Sequence, residues 1–418
     1  MSNKMTPYVR FKGFTDAWEQ RKLSSFVTKV KSYSLSRKYE SQKETGYRYI
    51  HYGDIHTRKV DIIFDENVLP SISSANYVLL KKGDVILADA SEDYEDIAAP
   101  AVLEVDPKDK IVSGLHTIAL RPKKSLDSLF LYYMIKSPKF RKFASKQGQG
   151  LKVFGINAEK VLKFNCGVPV LTEQRQISSL LLNIDKNIAH HQKKLENLQQ
   201  LKKLFLQKIF AQKWRFKGFT DPWEQRKFNW MLDSKDGIRR GPFGSALKKS
   251  LFVPKSPYVV YEQQNAIYDR YQTRYYISAD TFNSLRKFEL RTGDFIMSGA
   301  GTIGRISRVP KSIKKGVFNQ ALIRFRIDSQ KLDDEYFLQL IRSPRMQRRL
   351  TGQNPGSAIT NLVPMSEIKK WEILIPTKSE QQKISSCLLS LDSTITHHQK
   401  KLDQLKQLKK WFLQNLFV

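Results

Sequence analysis

Residues that build covalent or metal-held frameworks are scarce in this chain. Its 418 residues include only two cysteines, Cys166 and Cys387, which lie in unrelated apolar contexts. We therefore expect neither a disulfide framework nor a cysteine-rich zinc site. The sequence also lacks any apolar run of about 18 or more residues, so we expect no membrane-spanning segment. Its opening residues, MSNKMTPYVRFKGF, contain no apolar signal-peptide segment, and these absences together favour a cytoplasmic protein.

Acidic residues are also few relative to basic ones. The chain has 40 Asp and Glu against 72 Lys and Arg, a formal net charge of +32. Such an excess indicates a polyanionic partner, and nucleic acid leads because neutralising phosphates releases counterions. A generally basic surface without a nucleic-acid role is the open alternative. A hydrophobic fraction of 40% and 24 Phe residues are enough for packed cores, so the chain is not disordered.

Signatures of nucleic-acid enzymes are missing as well. There is no G-x-x-x-x-G-K-[ST] loop for an NTP-driven motor, and no PPY or PPF run typical of base methylation. No Cys-His or Ser-His-Asp pattern stands out. We therefore predict no catalytic residue, which leaves a polyanion binder without chemistry of its own.

What the chain does contain is an internal duplication. Residues 10–22, RFKGFTDAWEQRK, return at 215–227 as RFKGFTDPWEQRK with a single difference. Residues 173–210 return at 380–417 with 24 identities in 38 positions. The regions between these anchors have diverged. A period of about 205 residues indicates a tandem duplication of whole domains, in which a constant frame surrounds two variable regions.

The repeated 38-residue segments are predicted to be long helices, because apolar residues recur at alternating steps of three and four. A helix of about 40 residues is about 60 Å long and needs a partner to cover its apolar stripe. We predict that the two copies form an antiparallel coiled coil; homodimerisation through the same stripe is the competing account. The predicted interface residues are Leu181, Ile184, Ile188, His191, Leu195, Leu198, Phe205, Leu388, Leu391, Ile395, His398, Leu402, Leu405 and Phe412.

Each of these helices carries a His-His pair, at 190–191 and 397–398. Adjacent residues of a helix point about 100° apart, so each pair is a poor chelate and we predict no metal site. His191 and His398 lie on the apolar stripe, where we expect hydrogen bonds across the coiled coil.

The diverged regions have the pattern of α+β domains. YRYIHYGDI at 47–55, DVILADA at 84–90 and DFIMSGA at 294–300 have strand composition, and each region has a helical stretch interrupted by Ser-Pro. The predicted fold is α+β, with two globular domains joined by two long helices in a pseudo-twofold duplication. The predicted boundaries are 1–172 for the first domain, 173–212 for the first helix, 213–379 for the second domain and 380–418 for the second helix.

Glycine-rich and basic loops are the candidate DNA contacts. RRGPFGSALKK at 239–249 would let the backbone approach phosphates, and its arginines could fork onto guanine. An ordinary Gly-Pro turn with solvated charges is the alternative. The predicted DNA-binding residues are Arg58, Lys59, Ser91, Lys152, Arg239, Arg240, Ser245, Lys248, Lys249, Ser298, Thr302, Arg305 and Gln320.

Two loops suggest other chemistry. SGAGTIGR at 298–305 contains G-x-G-x-x-G, which in a dinucleotide-binding site is followed by a helix. Here the residues after the motif have the pattern of a strand, which argues against such a site. We predict a tight turn there that faces DNA. SEDYEDIA at 91–98 holds four carboxylates that could bind Mg²⁺, and a self-contained endonuclease is one further hypothesis.

The two RFKGFTDxWEQRK copies are predicted to be joints, because a base reader should vary with its target. They lead the chain into each globular domain and offer a docking surface for the helices or a partner. The predicted packing residues are Phe11, Phe14, Trp18, Phe216, Phe219 and Trp223.

Taken together, these features resemble the specificity subunit of type I restriction-modification systems. The resemblance covers essentially the whole chain. It rests on the P-x₃-EQ helix starts at Pro169 and Pro376, the helix ends LKKxFLQxxF, the RFKGFTDxWEQRK segments, and GPFGSALKK, SGAGTIGR and HYGDI. It implies that each variable region is a target recognition domain for one half of a bipartite, asymmetric target in double-stranded DNA, and that the coiled coil fixes the spacer.

The same resemblance implies the partners. Two methylating subunits would dock on this chain and supply S-adenosylmethionine and the adenine-methylating chemistry. Two ATP-dependent restriction and translocase subunits, with their ATP and Mg²⁺, would complete the complex. This chain would hold no cofactor and would not be an enzyme. The alternative function is a basic scaffold or oligomerisation protein that reads no DNA sequence.

Overall fold

The chain folds into two compact units, and the computed structural model describes residues 6–150, 152–243, 245–352 and 363–418. The first unit consists of Met1–Gln192 and Lys400–Val418, and the second of Lys193–Gln399. Each unit therefore combines one globular domain with parts of both long helices. The predicted boundaries divide the chain in sequence order and separate the helices from the globular domains, and they stay a prediction.

The first unit mixes strands and helices, as predicted for this fold class. Its strands are β1 (Glu19–Lys22), β2 (Val27–Val30), β3 (Tyr47–Ile50), β4 (Ile62–Ile63), β5 (Val85–Ala88), β6 (Ala90–Ser91), β7 (Pro100–Leu103), β8 (Lys110–Ser113), β9 (Thr117–Pro122), β10 (Phe154–Gly155) and β11 (Asn165–Val168). Its helices are α1 (Tyr52–His56), α2 (Ser128–Lys136), α3 (Pro138–Gln147), α4 (Ala158–Leu162) and the start of α5 (Leu171–Phe210). Within the described residues, the largest sheet has the order β2-β9-β5-β7-β4, and smaller pairings join β3 to β8, β6 to β10 and β1 to β11.

Strand β5 lies at the centre of this unit, and its sequence VILA explains why. All four residues are buried. Val85 and Leu87 pack into the apolar cluster that contains most of α2, whereas Ile86 and Ala88 pack into a second cluster. Because successive side chains of a strand point to opposite faces, the sheet is covered on both faces.

The second unit repeats this plan with different sequence. Its strands are β12 (Glu224–Lys227), β13 (Ile238–Arg240), β14 (Phe252–Val253), β15 (Tyr258–Tyr261), β16 (Tyr275–Ile277), β17 (Phe295–Ser298), β18 (Ile306–Arg308), β19 (Gly316–Phe318), β20 (Leu322–Phe325) and β21 (Glu372–Ile375). Its helices are α6 (Gln263–Tyr268), α7 (Ala279–Ser284), α8 (Asp334–Arg342), α9 (Pro344–Leu350), α10 (Met365–Lys370) and the start of α11 (Lys378–Asn415). In the described part of this unit the sheet orders are β13-β20-β17-β18, β14-β16-β15-β19 and β12-β21.

The Ser-Pro interruptions are helix boundaries in both units. Ser137 ends α2 and caps α3 by accepting a hydrogen bond from the Phe140 backbone N–H, and Pro138 occupies the first turn. Ser343 does the same between α8 and α9, where it accepts from the Met346 N–H. A serine cap followed by proline is favourable because proline lacks the N–H that the first helical turn leaves unpaired.

The long helices α5 and α11 span 40 and 38 residues. Both begin two residues before the predicted starts and end earlier than the predicted ends. In the first unit Leu181 shares a core cluster with Leu416, and Asp185 pairs with Lys409. Residue numbers therefore increase along α5 in the direction in which they decrease along α11. The helical segments therefore run antiparallel. None of the helices in the described residues is long and apolar enough to cross a membrane.

One strand assignment was wrong. The segment YRYIHYGDI is a strand only as far as Ile50, and a short helix follows from Tyr52 to His56. The side chain of His51 accepts a hydrogen bond from the Gly53 backbone N–H at 3.1 Å and caps this helix. A capping side chain favours the helical turn over continued extension, which strand propensity alone does not capture.

Candidate nucleic-acid interface

The repeated RFKGFTDxWEQRK segment binds the start of a long helix in each unit. In the first unit, Arg10 donates from Nε and Nη2 to the two carboxylate oxygens of Glu173, at 2.7 and 2.8 Å. In the second, Arg215 donates to Glu380 in the same way, at 2.9 and 2.7 Å. The carboxylates are 0% and 1% exposed, so each guanidinium supplies the counter-charge that a buried anion needs.

The tryptophans of both copies are buried in the unit cores, but the hydrogen bonding of their indole nitrogens differs. Trp223 donates its indole N–H to Glu380 at 3.1 Å. The indole nitrogen of Trp18 is buried and has no hydrogen-bond partner among the described residues. Phe11 and Phe216 pack against the two cores. Phe14 and Phe219 are each only partly buried.

A glutamine then holds each globular domain to its helix. Gln174 accepts from the Asp127 backbone N–H at 2.8 Å and donates to the Ser125 and Pro169 carbonyls. Gln381 accepts from the Asp333 N–H at 2.8 Å and donates to the Pro376 carbonyl at 3.0 Å. The P-x₃-EQ pattern thus contributes both a buried anion and an amide that orients the domain.

Farther along the helices, one aspartate in each unit joins three elements. Asp185 pairs with Lys409 at 2.5 Å and accepts from the hydroxyl of Tyr133 at 2.9 Å. In the second unit Asp392 pairs with Lys202 at 2.5 Å and accepts from the amide of Gln339 at 3.2 Å. Each aspartate therefore connects the two long helices to the globular domain.

The residues predicted for the coiled coil are buried or half-buried in their own units, including His191 and His398. The predicted set omitted several other residues of the same helices. Ile177, Leu206 and Ile384 are buried in the unit cores.

Each unit has a basic cleft beside the helix pair. The cleft of the first unit, about 970 Å³, is lined by Arg58, Lys136, Arg141, Lys186, Lys406 and Lys409, with Asp61, Asp96 and Asp185. The cleft of the second unit, about 550 Å³, is lined by Lys202, Lys203, Arg305 and Arg342, with Asp269 and Asp392. Lys136 and Arg342 occupy equivalent places at the ends of α2 and α8. The two clefts are therefore copies of one feature.

The predicted DNA residues around β13 differ in their availability. Arg239 is tied to Asp236 by hydrogen bonds of 2.8 and 3.1 Å. Asp236 also accepts from the fully buried Arg324 and from Arg326. Burial alone raises the pKa of Asp236, but the hydrogen bonds and charges of Arg324 and Arg239 outweigh it and hold the pKa well below its usual range. Arg240 is exposed and donates to the Gln320 carbonyl at 3.3 Å.

The GPFG loop after β13 presents an exposed basic and aromatic surface. Ser245, Lys248 and Lys249 are exposed, so their side chains are accessible to a partner. Phe243 is 85% exposed, and sequence reasoning did not single it out. The signal was available, because a large apolar residue in a stretch of sequence rich in glycine and proline has little local structure to pack against.

Two predicted hydroxyl contacts need correction. Ser298 is fully buried; its Oγ donates to the Thr302 carbonyl and accepts from the Arg305 N–H at 3.0 Å. Ser91 is buried in β6, where its Oγ accepts from the Asp93 N–H at 3.1 Å. Both hydroxyls are therefore occupied in holding turns and are not accessible to a base.

The remaining predicted residues of the SGAGTIGR turn and of the first unit are exposed. Thr302, Arg305 and Gln320 lie at the surface of the second unit. The turn connects the antiparallel strands β17 and β18, so no helix follows its glycines. Arg58, Lys59 and Lys152 lie at the surface of the first unit, and Arg58 has a positive φ of 56°.

The acidic segment at 91–98 contains a short 3-10 helix over Tyr94–Asp96, and the side chain of Glu95 lies outside the described residues. Among the described residues, no group of three or more His, Cys, Asp or Glu side chains is placed to hold a metal ion.

Comparison with known proteins adds a family. A family model described as the type I restriction modification DNA specificity domain matches residues 15–200 and 243–407. The chain is 22% identical over 320 residues to the type I restriction enzyme MjaVIII specificity subunit of Methanocaldococcus jannaschii, covering 72% of each chain. It is 21% identical over 409 residues to the putative MjaX specificity subunit of the same organism, covering 94% of this chain and 91% of the relative.

Solved structures share the fold. The S subunit of a type I restriction-modification system from M. genitalium matches with a TM-score of 0.61 and 13% identity, covering 99% of each chain. A chain from a structure described as the basis of complex assembly and conformational transition of the type I R-M system matches with a TM-score of 0.55 and 15% identity. That match covers 95% of this chain and 96% of the other. At these identities the likeness concerns the fold.

Proposed function

Because the chain belongs to the family of type I restriction-modification DNA specificity subunits, we propose that each of its globular domains reads one half of a bipartite DNA target. The observation that carries this proposal is the contrast between constant joints and variable surfaces. Arg10–Glu173 and Arg215–Glu380 are the same joint made twice. The loops that each unit exposes differ in sequence and charge, so the two half-sites should differ.

The helix pair is proposed to set the spacer between the half-sites. Two recognition modules one DNA turn apart need a separation of about 34 Å, and rigid helices of about 40 residues are long enough to impose it. The aspartates at 185 and 392 support this role, because each joins both helices to a globular domain. A fixed attachment of this kind favours one spacer length over others.

Exposed apolar pairs on the helices are proposed as docking points for two methylating subunits. Leu201 and Leu204 on α5 are equivalent in the repeat to Leu408 and Trp411 on α11, and all four are 40–48% exposed. Large apolar side chains repeated at the same place on two helices are typical of protein contacts. The duplication would then explain why two copies of one partner bind.

The chemistry is proposed to lie in the partners. The methylating subunits would bring S-adenosylmethionine, and two restriction and translocase subunits would bring ATP and Mg²⁺. This chain would contribute recognition and geometry without catalysis. We place the complex in the cytoplasm, where its DNA substrate is accessible.

The experiment that tests this function is a genome-wide map of methylated adenines in cells that express the chain with its methylating partner. The expected motif has two unlike half-sites separated by a fixed number of unspecified base pairs. One continuous motif would contradict the proposal. Affinity of the complex for DNA, measured against salt, tests the scaffold alternative: a reader loses affinity as salt rises, and a flat dependence would favour a scaffold that makes no phosphate contacts.

A further inference from the structure

The two globular domains can be aligned residue by residue through their backbone hydrogen bonds. At the end of β5, the Asp89 N–H donates to the His116 carbonyl at 3.0 Å. At the end of β17, the Gly299 N–H donates to the Ala321 carbonyl at 2.7 Å. The strand registers agree, because Ala88 pairs with Thr117 as Ser298 pairs with Leu322. Asp89 and His116 thus stand where the second domain has Gly299 and Ala321.

A second hydrogen bond extends this alignment to the neighbouring strand. The Gly114 N–H donates to the Ile50 carbonyl at 2.9 Å, and the Asn319 N–H donates to the Tyr261 carbonyl at 3.0 Å. Counting two residues onward from Ile50 and Tyr261, Tyr52 corresponds to Gln263. Tyr52, Asp89 and His116 therefore occupy the places of Gln263, Gly299 and Ala321, which lie beside Gln320 and its hydrogen-bond partner Arg240 in the second domain.

These first-domain residues form a single, partly exposed polar cluster. His116 Nδ1 lies 3.1 Å from Asp89 Oδ1, with the histidine 49% and the aspartate 32% exposed. The ring of Tyr52 meets the ring of His116 edge-on at 5.2 Å. Among the described residues, Asp89 Oδ2 takes part in no hydrogen bond. The cluster therefore offers hydrogen-bond acceptors to a partner.

The cluster is held rigidly by the turn that carries it. His116 has a positive φ of 53°, a conformation that a non-glycine residue keeps only where its surroundings impose it. The Thr117 hydroxyl donates to the Gly114 carbonyl at 2.7 Å and lies 2.7 Å from the Ser113 hydroxyl, which fixes the turn. Burial also raises the pKa of Asp89, so ionisation of this residue does not favour folding. A rigid, exposed group that does not stabilise the fold is typical of a recognition site.

We propose that Asp89 and His116 select a base with an exocyclic amine, adenine or cytosine, in the first half-site. This inference rests on the proposed function and names the residues that carry it out in one domain. When Nδ1–H of His116 donates to Asp89, both Nε2 and the free carboxylate oxygen accept, and the amines of adenine N6 and cytosine N4 are the donors in the major groove. In the second domain, Gln320 and Arg240 lie beside the equivalent positions and present donors that match the acceptors of guanine.

The test compares methylation motifs of the intact complex carrying single substitutions. Asp89→Asn replaces an acceptor with a donor, so the preference for adenine or cytosine at one position of one half-site should fall about tenfold or more. Arg240→Ala should relax one position of the other half-site, which assigns each half-site to its domain. Glu92→Gln is the matched control, because it removes an exposed carboxylate of the same segment. Glu92→Gln should leave both half-sites unchanged.

A second variant guards against loss of folding. His116→Gly removes the ring while glycine readily adopts the positive φ, so the domain should fold and the first half-site should still lose selectivity. If neither Asp89→Asn nor His116→Gly alters a bipartite motif, this inference is wrong and the proposed function stands. The inference is also wrong if Glu92→Gln changes the motif as Asp89→Asn does. A wild-type complex without a bipartite motif overturns the proposed function and this inference with it.

Discussion

Arg215 and Glu380, which lie 165 residues apart in the sequence, form a bidentate ion pair in which the Glu380 side chain is 1% exposed. The pair fixes the segment that enters the second globular domain to the first turn of α11. Arg10 and Glu173 do the same at the start of α5. The repeated segment is therefore a joint, and its repetition reflects two equivalent attachments of a domain to a helix.

The first prediction concerns the unequal hydrogen bonding of these joints. Arg10→Ala leaves the buried Glu173 without a donor, which should lower the free energy of unfolding by about 3–5 kcal/mol. Arg215→Ala should cost less, because Glu380 keeps the indole N–H of Trp223. Urea midpoints of the complex, followed by tryptophan fluorescence, measure both changes.

The control for this prediction is an exposed ion pair on the neighbouring strand. Arg21 pairs with Glu19, with side chains 61% and 50% exposed. Arg21→Ala should therefore cost less than about 1 kcal/mol. Equal losses for Arg10→Ala and Arg21→Ala would show that burial of Glu173 does not matter.

The second prediction concerns the ion pair between the long helices. Lys409→Asp places a second carboxylate beside Asp185 and should destabilise the first unit by about 1–3 kcal/mol. The exchange Asp185→Lys with Lys409→Asp should recover most of that loss, because the pair is re-formed with opposite polarity. Thermal melting of the complex measures this, with Lys194→Asp on the exposed side of α5 as control. Failure of the exchange to recover any stability would argue against direct pairing.

The third prediction is a pH dependence in the second unit. The folded pKa of Asp236 lies below its unfolded value near 3.9, so its contribution to stability is fully present above about pH 4 and is lost as the pH falls through the folded pKa. Asp236→Asn removes that contribution and leaves Arg324 buried without its partner carboxylate. The wild type should be more stable than Asp236→Asn by about 3–5 kcal/mol at pH 7, with a smaller difference at pH 3. Urea titrations at both pH values test this, and a constant difference would contradict it.

The fourth prediction concerns the exposed apolar pairs. Replacing Leu408 and Trp411 with glutamate should reduce the complex from two methylating subunits to one, because the equivalent pair on α5 stays intact. Replacing Leu201 and Leu204 should have the same effect. Light scattering on the purified complex gives the stoichiometry, and Lys410→Glu on the same helix should leave it at two. Retention of two partners in both variants would place the docking site elsewhere.

The regular features of this fold could be predicted from sequence because they depend on local periodicity and on repetition. Leu181 and Leu388 lie on stripes with a helical period, and both are buried in the structure. The α+β class followed from buried strands such as 84–90. The repeat itself revealed the constant frame without any structural information. These features can be predicted because each depends on a pattern that is visible in the sequence alone.

The long-range contacts could not be predicted in this way. Nothing local pairs Arg10 with Glu173, because the two residues are 163 positions apart and many other charges were available to each. The exposure of Ser91 and Ser298 was misjudged for a related reason: a serine in a turn can point outward or hold the turn from within. Asp89 and His116 were missed because their proximity depends on strand register.

The measurement that tests the central claim most directly is a map of methylated adenines for a chain in which the first domain is replaced by a copy of the second. Residues 23–164 are replaced by 228–371, which keeps the strand pairs β1–β11 and β12–β21 and both ion-paired joints intact. If the chain is two readers on one duplicated frame, methylated adenines should map to an inverted repeat of the second half-site with the spacer unchanged. An unaltered asymmetric motif, or a direct repeat, would contradict this account.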